Sequence, residues 1–430
     1  MSLLEPVPTR DGTSRFEPVP NADSPGTPAT NVRGQLVDWA WLKSRASDWD
    51  ALLAEAGHPT LAFGRGILEV HQHLGDATIE RFAVVEADGR LAALVPLRPA
   101  RFSLRRIQRV WSSAHLINAT PLIARWATDP VLDALLDVLA EAAASTRGLV
   151  NLPLVSVDEP AVRSLLNLAE ARDWGVRTFD RFERARFLRR PYDEYLQRHM
   201  TRRAHQSLVR RQRALRERGE LSFGRAESGP ELAWAVDGFL ALEVGGWKGR
   251  RGTALACCAR GRVLAERFFA AARDGLSPRA HWLALDGRPL AVSLSLSCHG
   301  TTSLVKIAYD EAYARFAPGV LLEHEIIRSC CEDGSEERLD SNSLAGGLLQ
   351  RLYPDREVIA EILMATDPRV GAIALDRLVS RELYSRRLAK RVKDIYWRLV
   401  DWATALSPPR TVLAMPLRPA RPWASDRAVG

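Results

Sequence analysis

The sequence contains few cysteines and no long hydrophobic run. Its 430 residues include five cysteines, Cys257, Cys258, Cys298, Cys330 and Cys331. An odd number without CxxC spacing argues against a zinc site and against a disulfide framework, and it fits a reducing cytosol. Nowhere do about 18 apolar residues follow one another, so we expect no membrane span. The N-terminus lacks a basic region followed by an apolar core, which argues against a signal peptide. We therefore expect a soluble, cytoplasmic protein.

The charge balance is basic. Lysine and arginine number 60 against 52 acidic residues, which gives a net charge of +8 and a pI near 9.5. This excess is compatible with a nucleotide, a nucleic acid, a membrane surface or another anionic partner, and it does not choose among them.

The chain divides into five segments by composition and periodicity. The first and last are rich in proline and lack apolar periodicity, which is typical of disordered segments. We predict a disordered lead-in over 1–33, an N-terminal lobe over 34–190, a second lobe over 191–370, an amphipathic helix over 371–407 and a loose tail over 408–430.

The two lobes repeat one order of elements. Residues 81–98 and 280–297 each contain two apolar runs around an Asp-Gly turn, which is a strong β-hairpin signal. In both lobes a further strand, a helix and another strand follow. We therefore predict a duplicated α/β fold, followed by a C-terminal helix.

The first motif is a strand that leads into a helix. Alternation over Ser303–Tyr309 predicts a strand, and Ala317, Pro318 and Gly319 begin a helix. A helix start offers free amides and partial positive charge, the general means of holding a phosphate, and Arg315 would add a charged clamp. The alternative is a simple strand-to-helix turn.

The second motif is "LEVGGWKGRRGTAL", which ends an apolar helix at Leu242 and continues into a glycine-rich loop. The loop carries Glu243, Trp247, Lys248, Arg250 and Arg251. Such a loop can place a carboxylate, an aromatic face and cations around a substrate. The alternative is a helix C-cap followed by a solvated basic loop.

Together the motifs resemble a known family. "KIAYDEAYARFAPGVLL" and "FLALEVGGWKGRRGTAL" are similar to the bacterial acyltransferases of the GNAT superfamily associated with cellulose and exopolysaccharide biosynthesis, the CelD-like group. "RLYPDREVIAEILMA" resembles that family's tail motif, with Tyr353 where the family usually has tryptophan. The Lys-x-x-Tyr-Asp and Pro-Gly pattern also occurs in Fem-type peptidyltransferases, which use aminoacyl-tRNA on a doubled GNAT fold.

This resemblance implies two tandem GNAT-like lobes, each a mixed, mostly antiparallel sheet flanked by helices, and an acyl-CoA co-substrate. The strand before the helix would splay from its neighbour, and the acyl thioester would lie in the gap. Arg315, Ala317, Pro318 and Gly319 would then lie at the diphosphate of coenzyme A, although the usual GNAT loop is richer in glycine. The first lobe lacks both motifs, so we expect it to be catalytically silent. The acceptor would be an amine or hydroxyl, on a sugar or polysaccharide precursor, and transfer would be direct, without a metal.

The residues supply several candidate catalytic groups. Glu243, Asp310 and Asp340 are the candidate bases, since a placed carboxylate is worth about 10²–10⁴ in rate. By alternation, Lys306 shares a face with Ala308 and Asp310, so it would pair with Asp310 or steady a developing oxyanion. A purely structural pair is the alternative. The substrate-binding candidates are Trp247, Lys248, Tyr309 and Asn342, whereas we expect His281 and His324 to be structural.

A basic helix lies between the lobes, in "RHMTRRAHQSLVRRQRALRERGE", with Leu208 and Leu215 one heptad apart. Seven arginines of this stretch would neutralise several phosphates: Arg202, Arg203, Arg210, Arg211, Arg213, Arg216 and Arg218. However, no aromatic residue is interleaved for stacking on bases, so a solvated helix is the plainer interpretation. Two further hypotheses stay open: a Fem-type ligase that binds tRNA, and a non-catalytic accessory of polysaccharide biosynthesis.

Overall fold

The computed structural model describes residues 31–76, 78–98, 107–270, 272, 274–334, 336–344 and 346–405. The predicted tail, and the predicted lead-in except for its last three residues, lie outside the described residues. The strands are β1 (Val32–Val37), β2 (Arg81–Ala87), β3 (Arg90–Leu97), β4 (Gln108–Arg109), β5 (Leu122–Ile123), β6 (Leu149–Ser156), β7 (Gly175–Leu188), β8 (Leu221–Ala226), β9 (Ser277–Leu285), β10 (Arg288–Cys298), β11 (Thr301–Tyr309), β12 (Arg338–Asp340) and β13 (Asp355–Ala365). The α-helices are α1 (Trp39–Ser44), α2 (Ala46–Glu55), α3 (Arg65–His73), α4 (Asp129–Ala143), α5 (Pro160–Ala171), α6 (Tyr192–His199), α7 (Arg202–Arg216), α8 (Gly229–Gly245), α9 (Trp247–Arg250), α10 (Ala259–Phe268), α11 (Pro318–Asp333), α12 (Leu349–Leu352) and α13 (Ala372–Ala405).

The strands form two sheets. The smaller has the order β1-β2-β3-β5, and the larger has the order β4-β6-β13-β7-β12-β11-β10-β9-β8. The pairs β4–β6 and β11–β12 are parallel, whereas the other pairs are antiparallel. Helices flank these sheets and a long helix ends the described chain, so the mixed α/β fold class predicted from the sequence is confirmed.

Both predicted hairpins form around their Asp-Gly turns. Strands β2 and β3 pair antiparallel, as do β9 and β10. Asp88 and Gly89 have φ of 49° and 80°, and Asp286 and Gly287 have φ of 49° and 72°. Two successive left-handed residues make the turn whose twist matches a two-residue hairpin, which explains why this dipeptide predicts the hairpin well.

The two halves of the chain share the larger sheet. Strand β13, near the end of the described chain, pairs with β6 on one side and with β7 on the other. Strand β7 pairs in turn with β12. The sheet therefore runs without a break from strands of the first half to strands of the second half, and the last strand completes the sheet of the first half.

Two helices cover opposite faces of the second half's strands. On one face α8 packs through Phe239 into a core that also contains Ala308 of β11 and the first half of the chain. On the other face α11 packs through Leu322 and Ile327. The basic helix α7 forms as predicted, with the N–H of Ala204 donating to Thr201 Oγ1 at 3.2 Å, and it buries Leu208 and Leu215. Strand β11 thus lies between α8 and α11.

Candidate functional site

Strands β11 and β12 diverge from a short paired stretch. They pair only over Thr301–Ser303 and Arg338–Asp340, whereas β11 continues to pair with β10 as far as Tyr309. Within the described ranges, residues 304–309 therefore have no strand neighbour on the β12 side. The resemblance implied that the acyl thioester would lie in a gap of this kind, beside the strand that precedes the helix.

A bulge in β11 determines which residues face α8. Leu294 pairs with Lys306 and Ser295 pairs with Leu304, so Val305 is an extra residue in the ladder. Such a residue shifts the alternation by one position. As a result Val305 and Ala308 both pack in the core beneath α8, and Lys306 approaches Glu243 of α8.

The start of α11 lies beside the end of β11. Ala317 has left-handed φ and ψ of 52° and 55°, which ends the 3-10 helix Glu311–Phe316 and turns the chain into Pro318. The N–H groups of Val320 and Leu321 both donate to Ala317 O, at 2.9 and 3.1 Å. Proline has no N–H, so the Gly319 N–H is the amide of the first turn that lacks a backbone acceptor among the described residues.

Two arginines lie against the ring of Phe316, next to the start of α11. The Arg315 guanidinium is 4.7 Å and the Arg218 guanidinium 4.6 Å from the centre of the Phe316 ring. Arg218 immediately follows the last turn of α7 and donates to Ala214 O at 2.6 Å. The basic helix therefore ends at the start of α11, a proximity that the sequence did not indicate because the two segments are about 100 residues apart.

A buried carboxylate and two lysines face the opposite side of β11. The Glu243 side chain is 2% exposed, its Oε1 accepts from Lys248 Nζ at 2.9 Å, and Lys306 Nζ is 4.0 Å from the same oxygen. Glu243 Oε2 accepts from the Leu255 N–H at 2.7 Å. The predicted helix end at Leu242 is wrong: α8 continues to Gly245, and α9 replaces the predicted loop. The hydrogen bonds that Glu243 accepts from Lys248 and from the Leu255 N–H hold α9 and the chain after it against the end of α8.

The electrostatics of Lys306 follow from this cluster. Burial, together with the neighbouring Lys248 ammonium, lowers the pKa of Lys306, and Glu243 opposes that shift. Asp310, the partner considered from the sequence, instead accepts from the Ala312 N–H at 2.9 Å and caps the 3-10 helix. The carboxylate at ion-pair distance from Lys306 is therefore that of Glu243.

The first half of the chain contributes His115 beside this cluster. Burial and the charge of Lys306 lower the pKa of His115 to about 4, while Glu243 acts in the opposite direction. The Asn342 Nδ2 donates to His115 O at 2.7 Å, and Asn342 Oδ1 accepts from the Ile117 N–H at 2.6 Å. Asn342 therefore holds the loop of the first half against the second half. Sequence reasoning missed His115, because nothing local distinguishes it from the other histidines.

The remaining candidates lie around the gap. Asp340 Oδ1 accepts from the Asn342 N–H at 2.7 Å, and Asp340 Oδ2 is 3.8 Å from Nη1 of the fully buried Arg184. Trp247 and Tyr309 are 49% and 41% exposed. The Trp247 N–H donates to Glu311 Oε1 at 2.8 Å, which fastens α9 to the 3-10 helix.

A small cavity lined by both polar and apolar side chains lies where β11 and β12 meet. Its wall includes Glu357, whose Oε1 accepts from His58 Nε2 at 3.0 Å, Ser156 Oγ at 2.8 Å and Arg186 Nη1 at 3.1 Å. Glu357 Oε2 and Arg186 Nε are buried without a hydrogen-bond partner. Arg338, which also lines the cavity, donates twice to Thr301 Oγ1, at 3.0 and 2.7 Å. The wall of the cavity thus contains an acceptor and a donor that have no hydrogen-bond partner among the described residues.

Two further observations concern the described part of the chain. It contains no group of three or more His, Cys, Asp or Glu residues that could hold a metal ion. None of its helices is long and apolar enough to cross a membrane.

Comparison with known proteins gives a family match within the second half of the chain. Residues 202–342 match the family model described as an acetyltransferase (GNAT) domain, and this segment contains Glu243, Lys306 and the start of α11. No curated protein matches the chain.

Solved structures resemble the chain over most of its length. The crystal structure of FemX is 12% identical, with coverage of 78% of this chain and 98% of that one and a TM-score of 0.50. A tandem GNAT protein from the clavulanic acid biosynthesis pathway is 11% identical, covering 79% and 99%, with a TM-score of 0.42. A conserved protein of unknown function from Bacteroides thetaiotaomicron is 13% identical, covering 74% and 96%, with a TM-score of 0.48. At these identities, the likeness to FemX shows the fold alone.

Proposed function

We propose that the protein is a GNAT-type acyltransferase that moves an acyl group from acyl-CoA to an amine or hydroxyl acceptor. The observation that carries this proposal is the gap between β11 and β12, which leads to a helix start whose Gly319 amide has no backbone acceptor among the described residues. One end of the gap suits a phosphate, and the gap itself suits an extended thioester arm.

The donor's diphosphate would lie at the start of α11. The Gly319 N–H and the helix dipole would bind one phosphate oxygen, and the exposed Arg315 would pair with the same group. An added methyl group at Gly319 would be 3.6 Å from Ile307 Cδ1 and from Tyr309 Cδ1, an ordinary contact distance. The protein's own packing therefore does not require glycine at this position.

The chemistry would use the cluster on the α8 side. As the acceptor's nitrogen or oxygen bonds to the thioester carbonyl carbon, Glu243 would take its proton. Lys306 would stabilise the negative charge that develops on the carbonyl oxygen. The C–S bond then breaks and the thiolate of coenzyme A takes up the proton. Asp310 caps the 3-10 helix and Asp340 contacts Asn342, so these two carboxylates would hold the residues around the gap in place.

The acceptor would enter from the first half of the chain. Although burial opposes it, His58, Arg186 and Ser156 lower the pKa of Glu357, so the cavity holds a carboxylate with one unpaired oxygen. Hydroxyl or amino groups of a sugar would donate to that oxygen and accept from Arg186 and Arg338. With the motif resemblance to the CelD-like group, this supports a polysaccharide precursor as acceptor in a cytoplasmic reaction.

A second candidate function has one observation in its favour. The arginines of α7 lead to Arg218 at the same helix start, so the phosphates of an RNA would have a continuous basic path to the gap. An aminoacyl-tRNA would then be the donor, as in Fem-type peptidyltransferases.

A thermal-shift experiment separates these donors. We expect acetyl-CoA or a longer acyl-CoA to raise the melting temperature, since a ligand at about 100 times its Kd adds about 2.7 kcal/mol to stability. The rise should disappear in Arg315→Ala and persist in Arg90→Ala, because Arg90 stacks on Trp126 at 4.8 Å, away from the gap. Stabilisation by bulk tRNA alone would instead favour the second candidate. No response to either would favour a non-catalytic accessory.

A further inference from the structure

Helix α13 carries an exposed apolar stripe. Tyr384, Leu388, Val392 and Ile395 follow one another at spacings of four, four and three, so they lie along one side of the helix. Their exposed fractions are 70%, 51%, 59% and 58%. We call these four residues the α13 stripe. Over the described residues, nothing covers it.

The opposite side of the same helix attaches it to the sheet. Leu375 is fully buried, and Leu378, Val379 and Leu383 pack in the same core. Arg386 pairs with Glu361 of β13. The apolar residues of α13 thus divide between two sides, one that packs and one that faces outward. The stripe is therefore a surface that the fold presents, since the packing of α13 is complete without it.

The stripe lies within a strongly basic stretch. Residues 384–397 contain five basic residues against the single carboxylate of Asp394. Arg387, Lys390, Arg391 and Lys393 are all exposed, and in the part of the chain that the structure describes none of these four forms an ion pair. A helix with an apolar side, a basic surround and tyrosines at its border matches the interfacial zone of an anionic bilayer.

We propose that α13 binds the surface of an anionic membrane, with the stripe inserted among the lipid headgroups. Charge complementarity favours this occupant over a second copy of the chain, because a helix pair across the stripe would bring like-charged arginines and lysines together. Residues 406–430 are equally unsuited, since Asp426 is their single acidic residue against four arginines. The basic side chains would extend to the lipid phosphates while their stems cover apolar surface.

This placement would bring the membrane close to α9. The Arg251 guanidinium lies 5.2 Å from the Trp247 ring and 5.3 Å from the Trp397 ring, so it bridges α9 and α13. The proposal rests on the surface of α13 and does not depend on the reaction assigned to the gap.

Vesicle sedimentation of the full chain tests the proposal. We expect the protein to pellet with vesicles of phosphatidylcholine mixed with phosphatidylglycerol, and much less with phosphatidylcholine alone. Added salt should weaken the binding, because it screens the charges. The double variant Leu388→Glu with Ile395→Glu should weaken it at least tenfold, and so should Arg387→Gln with Arg391→Gln.

Val209→Glu is the matched control. Val209 is 52% exposed on the other basic helix, α7, so the change removes the same kind of side chain from the same kind of surroundings. Binding should survive this variant, and circular dichroism should show all variants folded. Absence of binding to anionic vesicles would overturn the proposal, and so would equal loss in Val209→Glu. A concentration-dependent dimer that the α13 variants abolish would show that a second copy occupies the stripe.

Discussion

Replacing Glu323 by glutamine should make the protein more stable at pH 8. Glu323 lies on α11 with 1% of its surface exposed. Its Oε1 accepts from Ser293 Oγ at 3.1 Å and its Oε2 from Tyr353 OH at 3.2 Å. Burial raises the pKa of Glu323 to about 7, from 4.5, and the two hydrogen bonds oppose the shift only in part. At pH 8 the folded protein therefore holds an ionised carboxylate in its core.

The magnitude follows from the pKa difference between the folded and unfolded chain. The folded state binds the Glu323 proton more tightly than the unfolded state does. Protonated Glu323 therefore stabilises the fold fully below pH 4.5, and this stabilisation is lost as the pH rises through 7. The pKa values of Glu323 in the folded and unfolded chain differ by about 2.5, which corresponds to a change of at most about 3 kcal/mol in the free energy of unfolding. Glutamine has no charge to bury. Glu323→Gln should thus gain up to about 3 kcal/mol over the wild type between pH 4.5 and pH 8.

Urea unfolding followed by circular dichroism at several pH values measures this gain. Glu332→Gln, on the exposed side of the same helix, is the matched control and should leave the pH slope unchanged, since its side chain is 60% exposed. If the stability difference between Glu323→Gln and the wild type were the same at every pH, the reasoning from burial would be refuted.

Three further predictions concern the gap and its surroundings. Asn342→Ala should cost about 1–3 kcal/mol, because the N–H of Ile117 and the carbonyl of His115 lose their partner; thermal unfolding against Asn31→Ala as a surface control measures this, and an unchanged melting temperature would contradict it. Gly319→Ala should leave the melting temperature nearly unchanged, since the added methyl group has room, yet weaken acetyl-CoA binding in calorimetry. Equal affinity of the variant and the wild type would show that the phosphate does not bind at the Gly319 amide. Glu243→Gln should lower the acyl-transfer rate by about 10²–10⁴, measured as release of the coenzyme A thiol, and a rate close to wild type would exclude Glu243 as the base.

The parts of the fold set by local chemistry were predictable. Asp88-Gly89 and Asp286-Gly287 prefer left-handed conformations, so their hairpins follow from the dipeptides. Pro318 suits the first turn of a helix, and α11 begins there. The order of elements also sufficed for the fold class.

The features that depend on distant contacts were not predictable. The pairing of β13 with β6 and β7 joins residues about 200 positions apart, and no local pattern records it. Lys306 shares the α8 side with Ala308, as alternation predicts, but Asp310 caps the 3-10 helix, and the carboxylate near Lys306 comes from α8, which no local pattern indicates. His115 joins the site through long-range contacts, namely the hydrogen bonds of Asn342 to its loop and the packing of its ring on Phe268.

Calorimetric titration of acetyl-CoA into the wild-type protein and Arg315→Ala tests whether the start of α11 binds the acyl donor. We expect one binding site per chain in the wild type and an affinity at least tenfold lower in the variant, because the guanidinium would pair with the diphosphate at the start of α11. Absence of binding to the wild-type protein, or equal affinity in both proteins, would contradict it.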